Sequence, residues 1–209
     1  MTHSPPHPAR PVVVLGTHNA KKAAELRELL EPQGIELRSL ADFPHAIHVE
    51  ENGDSFAANA RLKASQQAQH LHAWLIGEDS GLCVDGLNGA PGIYSARYAG
   101  PEATDEDNNH RLLEKLRSIP SERRTAHYVC HLSLADPSGD VRIDYESICR
   151  GRIRTEPAGH HGFGYDPLFE IAELHRTFGQ LGPAVKGMLS HRARAMRQFL
   201  PQLLKTLST

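Results

Sequence analysis

The chain has 209 residues, 39% of them hydrophobic and 23% charged, with a formal net charge of −2. That is enough chain for one large domain or two small lobes around a real core. The balanced charge excludes a polybasic partner for nucleic acid or for a membrane surface, and no apolar run nears the roughly 20 residues a membrane helix needs.

Residues 1–10 (MTHSPPHPAR) have no apolar signal-peptide core and read as a disordered lead-in to a domain over 11–209. Val12 to Leu15 reads as a buried strand ending in a glycine turn, and Asn19 can cap a helix to about Leu30 with Ala23, Leu26 and Leu30 on one face. IELRSL is a second strand. Asp54 can cap a helix that carries Phe56, Ala60, Leu62 and Ala64 and runs to about Leu71. AWLIG is a short apolar strand expected to deliver Glu78 and Asp79 at its carboxyl end. A glycine-rich stretch follows, then a helix from Asp105 to Leu116 closed by Pro120. Two long strands flank DPSGD, a hairpin signal. After the glycine loop PAGHHGFGYDPLF and a short segment, SHRARAMRQFLPQLLKTL closes the chain as a helix that Pro201 should kink or split. Alternating strands and helices with one long hairpin predict an α/β fold on a mixed sheet.

Cys83, Cys130 and Cys149 show no CxxC spacing and read as reduced thiols of a cytoplasmic protein. The 14 histidines contain no HExxH motif and read as solvated or hydrogen-bonding side chains.

Five stretches can carry chemistry. LGTHNAKK joins a strand, a glycine turn and a helix start, leaving backbone N–H groups at the positive end of the helix dipole. Lys21 and Lys22 oppose that dipole unless an anion pairs with them, so the stretch is either a phosphate cradle or a solvated turn. It is neither GxGxxG nor GxxxxGK[ST]. Glu50 and Glu51 precede a helix on which Asn59 and Lys63, four apart, share a face: a polar contact or an exposed edge. Glu78 and Asp79 are adjacent acids that should repel unless a cation or reacting proton sits with them. With Glu50 and Glu51 they supply the hard oxygens Mg²⁺ prefers; the bland reading is an acidic loop capping backbone N–H groups. HGFGYDP holds Phe163 and Tyr165 beside Asp166, suited to stacking a base or to pinning a turn. KGMLSHRARA gathers Lys186, His191 and Arg192, either anion or carbonyl donors or a basic helix start.

Taken together, TxNxxK (Thr17, Asn19, Lys22), Glu50–Glu51 with NARLKA, EDSGLCVDGLNGAPGIYSARYAG, FGYDPLF and SHR resemble the noncanonical purine nucleoside triphosphate pyrophosphatases, the inosine triphosphate pyrophosphatase family. The resemblance runs from about Val12 to the last helix. It implies an elongated α/β fold with a central mixed sheet and a cleft between two lobes, usually as a homodimer. It also implies Mg²⁺-dependent cleavage of ITP, dITP and XTP to the monophosphate and pyrophosphate, with no direct nucleic-acid or membrane partner.

Carried over to this chain, the resemblance makes Thr17, His18, Asn19, Ala20, Lys21 and Lys22 the triphosphate cradle, with Lys63 as a second phosphate contact. Asp79 matches the general base and Ser80 a substrate contact. Glu51 and Asp79 match the Mg²⁺ ligands, with Glu50 and Glu78 behind them or reached through water. Phe163, Gly164, Tyr165, Asp166, Lys186, His191 and Arg192 match the base pocket. The rest of the glycine-rich stretch, through Arg97 and Tyr98, reads as scaffold and subunit contact. His18 stands where relatives have glycine, His161 replaces a small residue, and Ala184–Val185 replaces an acidic pair. Two rivals stay open at this point: cleavage of methylated pyrimidine triphosphates, and a nucleotide sensor without catalysis.

Overall fold

The computed structural model describes residues 11–208; the lead-in expected over residues 1–10 lies outside them. Seven strands form one mixed sheet in the order β2-β1-β3-β4-β5-β6-β7. β1 (Val12–Leu15) runs parallel to both neighbours, β2 (Glu36–Ser39) and β3 (Leu75–Val84). From β3 onward every pairing is antiparallel, through β4 (Thr125–Ala135), β5 (Val141–Ile153), β6 (Phe169–Ile171) and β7 (Arg176–Thr177).

Helices cover both faces, as a parallel strand pair requires. On one face α1 (Ala20–Leu30) and α5 (His191–Leu207) enclose Val13, Leu15, Leu26, Leu30, Met196 and Phe199. On the other, α2 (Phe56–Leu71) packs Ala64 and Ala68 on Val14 and Leu75. A further apolar cluster joins the far half of the sheet, through Leu82, Tyr128 and Phe169, to Leu112 of α3 (Asp105–Lys115) and Phe178 of α4 (Phe178–Leu189).

Three local expectations change. β3 does not stop after Ile76: it continues to Val84 and pairs with β4 at ten successive positions, so Glu78 and Asp79 lie mid-strand rather than at a carboxyl end. Gly77, read as the end of the short strand, and Gly81, read as part of the glycine-rich stretch, both mark close backbone approach within β3. A Cβ on Gly77 would lie 2.0 Å from the Ala60 carbonyl oxygen, and one on Gly81 would lie 2.5 Å from that of Gly92. The cap of α2 is Ser55, not Asp54: Ser55 is extended and its hydroxyl accepts from Ala58 N. α5 runs through Pro201 without a break. Pro201 and Arg197, whose carbonyl the proline leaves unpaired, are both exposed, so water can serve that carbonyl.

The Gly77 contact gives a direct test. Gly77→Ala is expected to destabilise the fold by about 2–3 kcal/mol, since helix backbone cannot move aside as a side chain can. Thermal unfolding should then show a fall of roughly 4–12 °C for a domain of this size.

Candidate active site

β1 is followed by Gly16, whose N–H donates to the Ile76 carbonyl at 2.8 Å. Beyond Ile76 the chain of β1 turns away, and the edge of β3 is left free for a cleft. The turn is built locally: Asn19 N donates to Thr17 Oγ1, and Asn19 Oδ1 accepts from Lys21 N (3.0 Å) and Lys22 N (3.2 Å). The TxNxxK spacing is therefore an N-cap that sends Lys22 across the first turn of α1.

Successive strand residues point to opposite faces. The acidic doublet is thus split: Glu78 faces α1 and α5, Asp79 faces α2. Lys22 Nζ donates to Glu78 Oε2 at 2.8 Å, and Arg192 donates to Glu78 Oε1 from Nη2 (3.0 Å) and Nε (3.3 Å). On the opposite face Lys63 Nζ donates to Asp79 Oδ1 (3.1 Å) and Glu51 Oε2 (2.8 Å), while Asn59 Nδ2 donates to Asp79 Oδ2 (3.3 Å). The adjacent acids are expected to repel unless a cation sits with them; cations do, Lys22 and Arg192 beside Glu78 and Lys63 beside Asp79.

These surroundings tune the acids in opposite directions. Burial raises the Glu78 pKa, but Lys22 and Arg192 outweigh it and hold this carboxyl well below its ordinary value. Asp79 is shifted upward: burial dominates, Lys63 and Lys22 oppose it, and Glu51 and Glu78 add to it. Asp79 is 7% exposed, so a buried carboxylate looks into the cleft.

The second half of the site comes from far along the chain. Asp166, 1% exposed, accepts from Lys186 Nζ (2.6 Å) and Phe163 N (2.8 Å), fixing the FGYD loop. The Phe163 ring lies beneath cations, with Lys186 Nζ 4.3 Å and Lys21 Nζ 5.6 Å from its centroid. His191 stacks on Tyr128 at 4.6 Å and 8°, and its buried Nδ1 has no partner among the described residues. Burial, then Arg192 and Lys186, push the His191 pKa far down, which keeps the ring neutral.

Two adjoining cavities result. One is lined by Tyr128, Phe163 to Asp166, Lys186, His191 and Arg192; the other by Thr17, His18, Glu51, Lys63 and Asp79. Asn19, Lys22 and Ser80 line both. Of the predicted site residues, Ala20 and Lys21 line neither; Lys21 sits at the rim, 3.5 Å from Asp105. Glu50 is exposed. The Tyr165 hydroxyl donates to the Ser95 carbonyl, so it ties the loop to the scaffold.

Sequence reasoning missed Glu25, which accepts from Lys186 Nζ at 2.8 Å and from Arg192 Nη1. Its one signal is its place three residues after Lys22, on the same face of α1. Asp105 and Asn109 were missed too: they hold the Gly164 N–H and carbonyl, each at 2.9 Å. Both lie on α3, about 55–59 residues from the loop they anchor.

The donor set suits a hard divalent cation. Glu51 and Asp79 converge on one point, where the Lys63 ammonium now sits between them. Among the described residues no group of three or more His, Cys, Asp or Glu side chains is placed to hold a metal. Two carboxylates fit Mg²⁺, which commonly keeps waters and substrate phosphates as its other ligands.

Fold and site define an α/β protein whose cleft joins an aromatic chamber rich in donors to a chamber of paired lysines and carboxylates. Residues 13–202 match the Ham1 family, and the chain belongs to that family. It is 56% identical over 193 residues to the dITP/XTP pyrophosphatase of Rhodopirellula baltica, covering 92% of this chain and 93% of that one. The Bacillus cereus protein of the same name is 43% identical over 188 residues, covering 90% and 92%. A solved HAM1 protein from Coxiella burnetii superposes with a TM-score of 0.85 at 35% identity, over 93% of this chain and 99% of that one. A nucleoside-triphosphatase, dITP/XTP pyrophosphatase, from Mycobacterium abscessus gives 0.74 at 41% identity, over 92% and 99%.

Glu78→Gln tests the buried ion cluster. Stripping the charge from between Lys22 and Arg192 is expected to cost about 3–5 kcal/mol at pH 7, measured by urea unfolding. Because the folded carboxyl titrates below the unfolded one, its stabilisation is complete above the ordinary value of 4.5. The gap between wild type and variant should therefore narrow progressively as the pH falls below 4.5 toward the folded value.

Proposed function

We propose that this chain is a hydrolase that cleaves noncanonical purine nucleoside triphosphates (ITP, dITP and XTP) to the monophosphate and pyrophosphate, keeping deaminated purines out of DNA and RNA. The observation that carries the reading is the pair of joined cavities: an aromatic-lined chamber with hydrogen-bond donors adjoins one with lysines and converging carboxylates. The curated relatives named dITP/XTP pyrophosphatase support it.

In this reading Asp79 orients and deprotonates the water that attacks phosphorus beside the α–β bridge. Asn59 Nδ2 donates to Asp79 Oδ2, a contact that holds the carboxylate in place when Lys63 turns to phosphate. Mg²⁺, held by Glu51 and Asp79, would neutralise charge on the phosphates and the leaving pyrophosphate. Lys22 and Lys63 exchange carboxylate partners for phosphate oxygens, with Thr17 to Asn19 beneath them.

Base selection follows from the aromatic chamber. Hypoxanthine and xanthine present an O6 acceptor where adenine presents an amine. Lys186, Arg192 and backbone N–H groups are donors only, so an adenine amine facing them would leave buried groups unpaired. Such a mismatch rejects a substrate by orders of magnitude. Guanine also carries O6, so discrimination against GTP rests on its 2-amino group. A homodimer and a cytoplasmic location belong to the same proposal. The free Cys83, Cys130 and Cys149 accord with a reducing compartment, and no described helix is long and apolar enough to cross a membrane.

The decisive experiment is a panel of ITP, XTP, dUTP, dTTP and ATP with Mg²⁺ and separate detection of phosphate and pyrophosphate. Pyrophosphate from ITP and XTP is expected well above the others. Turnover of the pyrimidine triphosphates alone, or ITP binding without cleavage, would overturn the reading. Asp79→Asn should lower kcat on ITP by about 10²–10⁴-fold, with ITP still bound; wild-type turnover in that variant would remove Asp79 from the role of base.

A further inference from the structure

We infer that Arg97 is a receptor for the terminal phosphates, and hence for the leaving pyrophosphate, rather than scaffold; the inference rests on the proposed function and extends it.

Its first support is charge. Five site carboxylates, Glu25, Glu51, Glu78, Asp79 and Asp166, are ion-paired to four cations, Lys22, Lys63, Lys186 and Arg192. The paired groups thus carry one more carboxylate than cation, a poor host for a triphosphate. Every lysine expected to bind phosphate is already engaged: Lys22 by Glu78, Lys63 by Glu51 and Asp79. Arg97 lines the same chamber, and it is the one lysine or arginine there with no carboxylate partner among the described residues. Its charge is uncommitted.

The second support is position. Lys22, Ser80, Asn19 and Ala96 line both cavities, so the phosphate next to the ribose falls at that shared wall. Arg97 lines only the lysine–carboxylate chamber, with Glu51, Lys63 and Asp79, on the far side of the junction from the base. The third support is preorganisation. Arg97 ends the 3-10 turn Gly92–Arg97, which is pinned to β3 where the Ser95 hydroxyl accepts from Leu82 N at 2.8 Å. The Arg97 guanidinium lies 5.4 Å from the Tyr94 ring centroid, although Tyr94 itself is 56% exposed. A cation over an aromatic face keeps its donors free at the edge of the plane, the geometry that two phosphate oxygens accept in parallel.

The test separates pyrophosphate from nucleotide. Arg97→Met, with Arg97→Lys as the conservative variant, is assayed for KM of ITP, for product inhibition by inorganic pyrophosphate and by IMP, and for thermal unfolding. In Arg97→Met the KM and the pyrophosphate inhibition constant are expected to rise about 10-fold or more, as loss of a bidentate charged contact predicts. IMP inhibition and the unfolding temperature should stay at wild-type values, and Arg97→Lys should recover part of the loss. Tyr94→Ala should weaken pyrophosphate inhibition in the same sense by a smaller factor. Unchanged pyrophosphate inhibition in Arg97→Met, or an equal loss for IMP, overturns the assignment. Calorimetric titration of inorganic pyrophosphate with Mg²⁺ tests Arg97 independently of turnover. Absence of ITP cleavage by the wild type would instead end the functional reading, so the two failures are distinct.

Discussion

The buried carboxylate of Glu78 ties together parts of the chain that are remote in sequence. Lys22 reaches it from the first turn of α1, and Arg192 reaches it from the first turn of α5. Removing three charges from water is expensive, and their attraction offsets this only where geometry is close and every polar atom is satisfied. Here the geometry is close: Arg192 spends its donors on Glu78, Glu25 and Ser80, and it is 2% exposed. Glu25 in turn binds Lys186, whose ammonium also meets Asp166 beneath the FGYD loop. One chain of charges thus runs from the strand through three helices, α5, α1 and α4, to the loop that would hold the base. Disturbing any member leaves its neighbour charged and buried.

The strand pleat then separates tasks that the sequence puts side by side. Glu78 faces a set of cations and is held low in pKa, an organising role with nothing left to titrate near neutrality. Asp79, one residue on, faces α2 and is shifted up, where a carboxylate can take a proton. Ser80 returns to the first face and touches Arg192 at 3.0 Å, at the wall both cavities share. Three consecutive residues therefore address the face of α1 and α5, the face of α2, and the wall the two cavities share. Gly77 permits this because α2 can lie directly on β3, which brings Asn59 and Lys63 within reach of Asp79.

What was legible in the sequence was mostly local. Asn19 as a cap, the Asn59–Lys63 helix face and the DPSGD hairpin each follow from interactions within a few residues, and each is found. The order of motifs led to the right fold and family. The length of β3 was not legible, since Gly77 and Gly81 lower strand propensity and only the contacts of α2 and the Gly92 turn explain them. Nor was α4, where Gly182 takes φ 75° beside Pro183 and interrupts the helical pattern. Glu25 was hard to see for another reason: its partner Arg192 lies 167 residues away, and only its spacing from Lys22 sets it apart from Glu28. Arg97 drew no separate notice because the glycine-rich stretch around it reads as one scaffold. Its place in the chamber wall, with Ile93 and Ala96 of the same turn, is visible only in the fold.

A site so fully paired in its own ions is set up for exchange rather than for simple attraction. Lys63 stands between Glu51 and Asp79 at the point where those carboxylates converge, so a divalent cation arriving there would take over its charge. On the proposed reading the Lys63 ammonium would then be free to pair with a phosphate, leaving neither carboxylate without a cation. Lys22 can turn from Glu78 in the same way, because Arg192 continues to neutralise that carboxylate. On the proposed reading the enzyme therefore keeps its electrostatics balanced before and after loading, and the reorganisation is confined to two lysine side chains. This limits what the free protein attracts: the paired site, with its excess carboxylate, gains little from an anion that brings no metal. Metal and phosphates together supply both replacement partners. The constraint that buried charges stay compensated, which shapes the fold around Glu78, would then also favour the metal-bound nucleotide over the bare one.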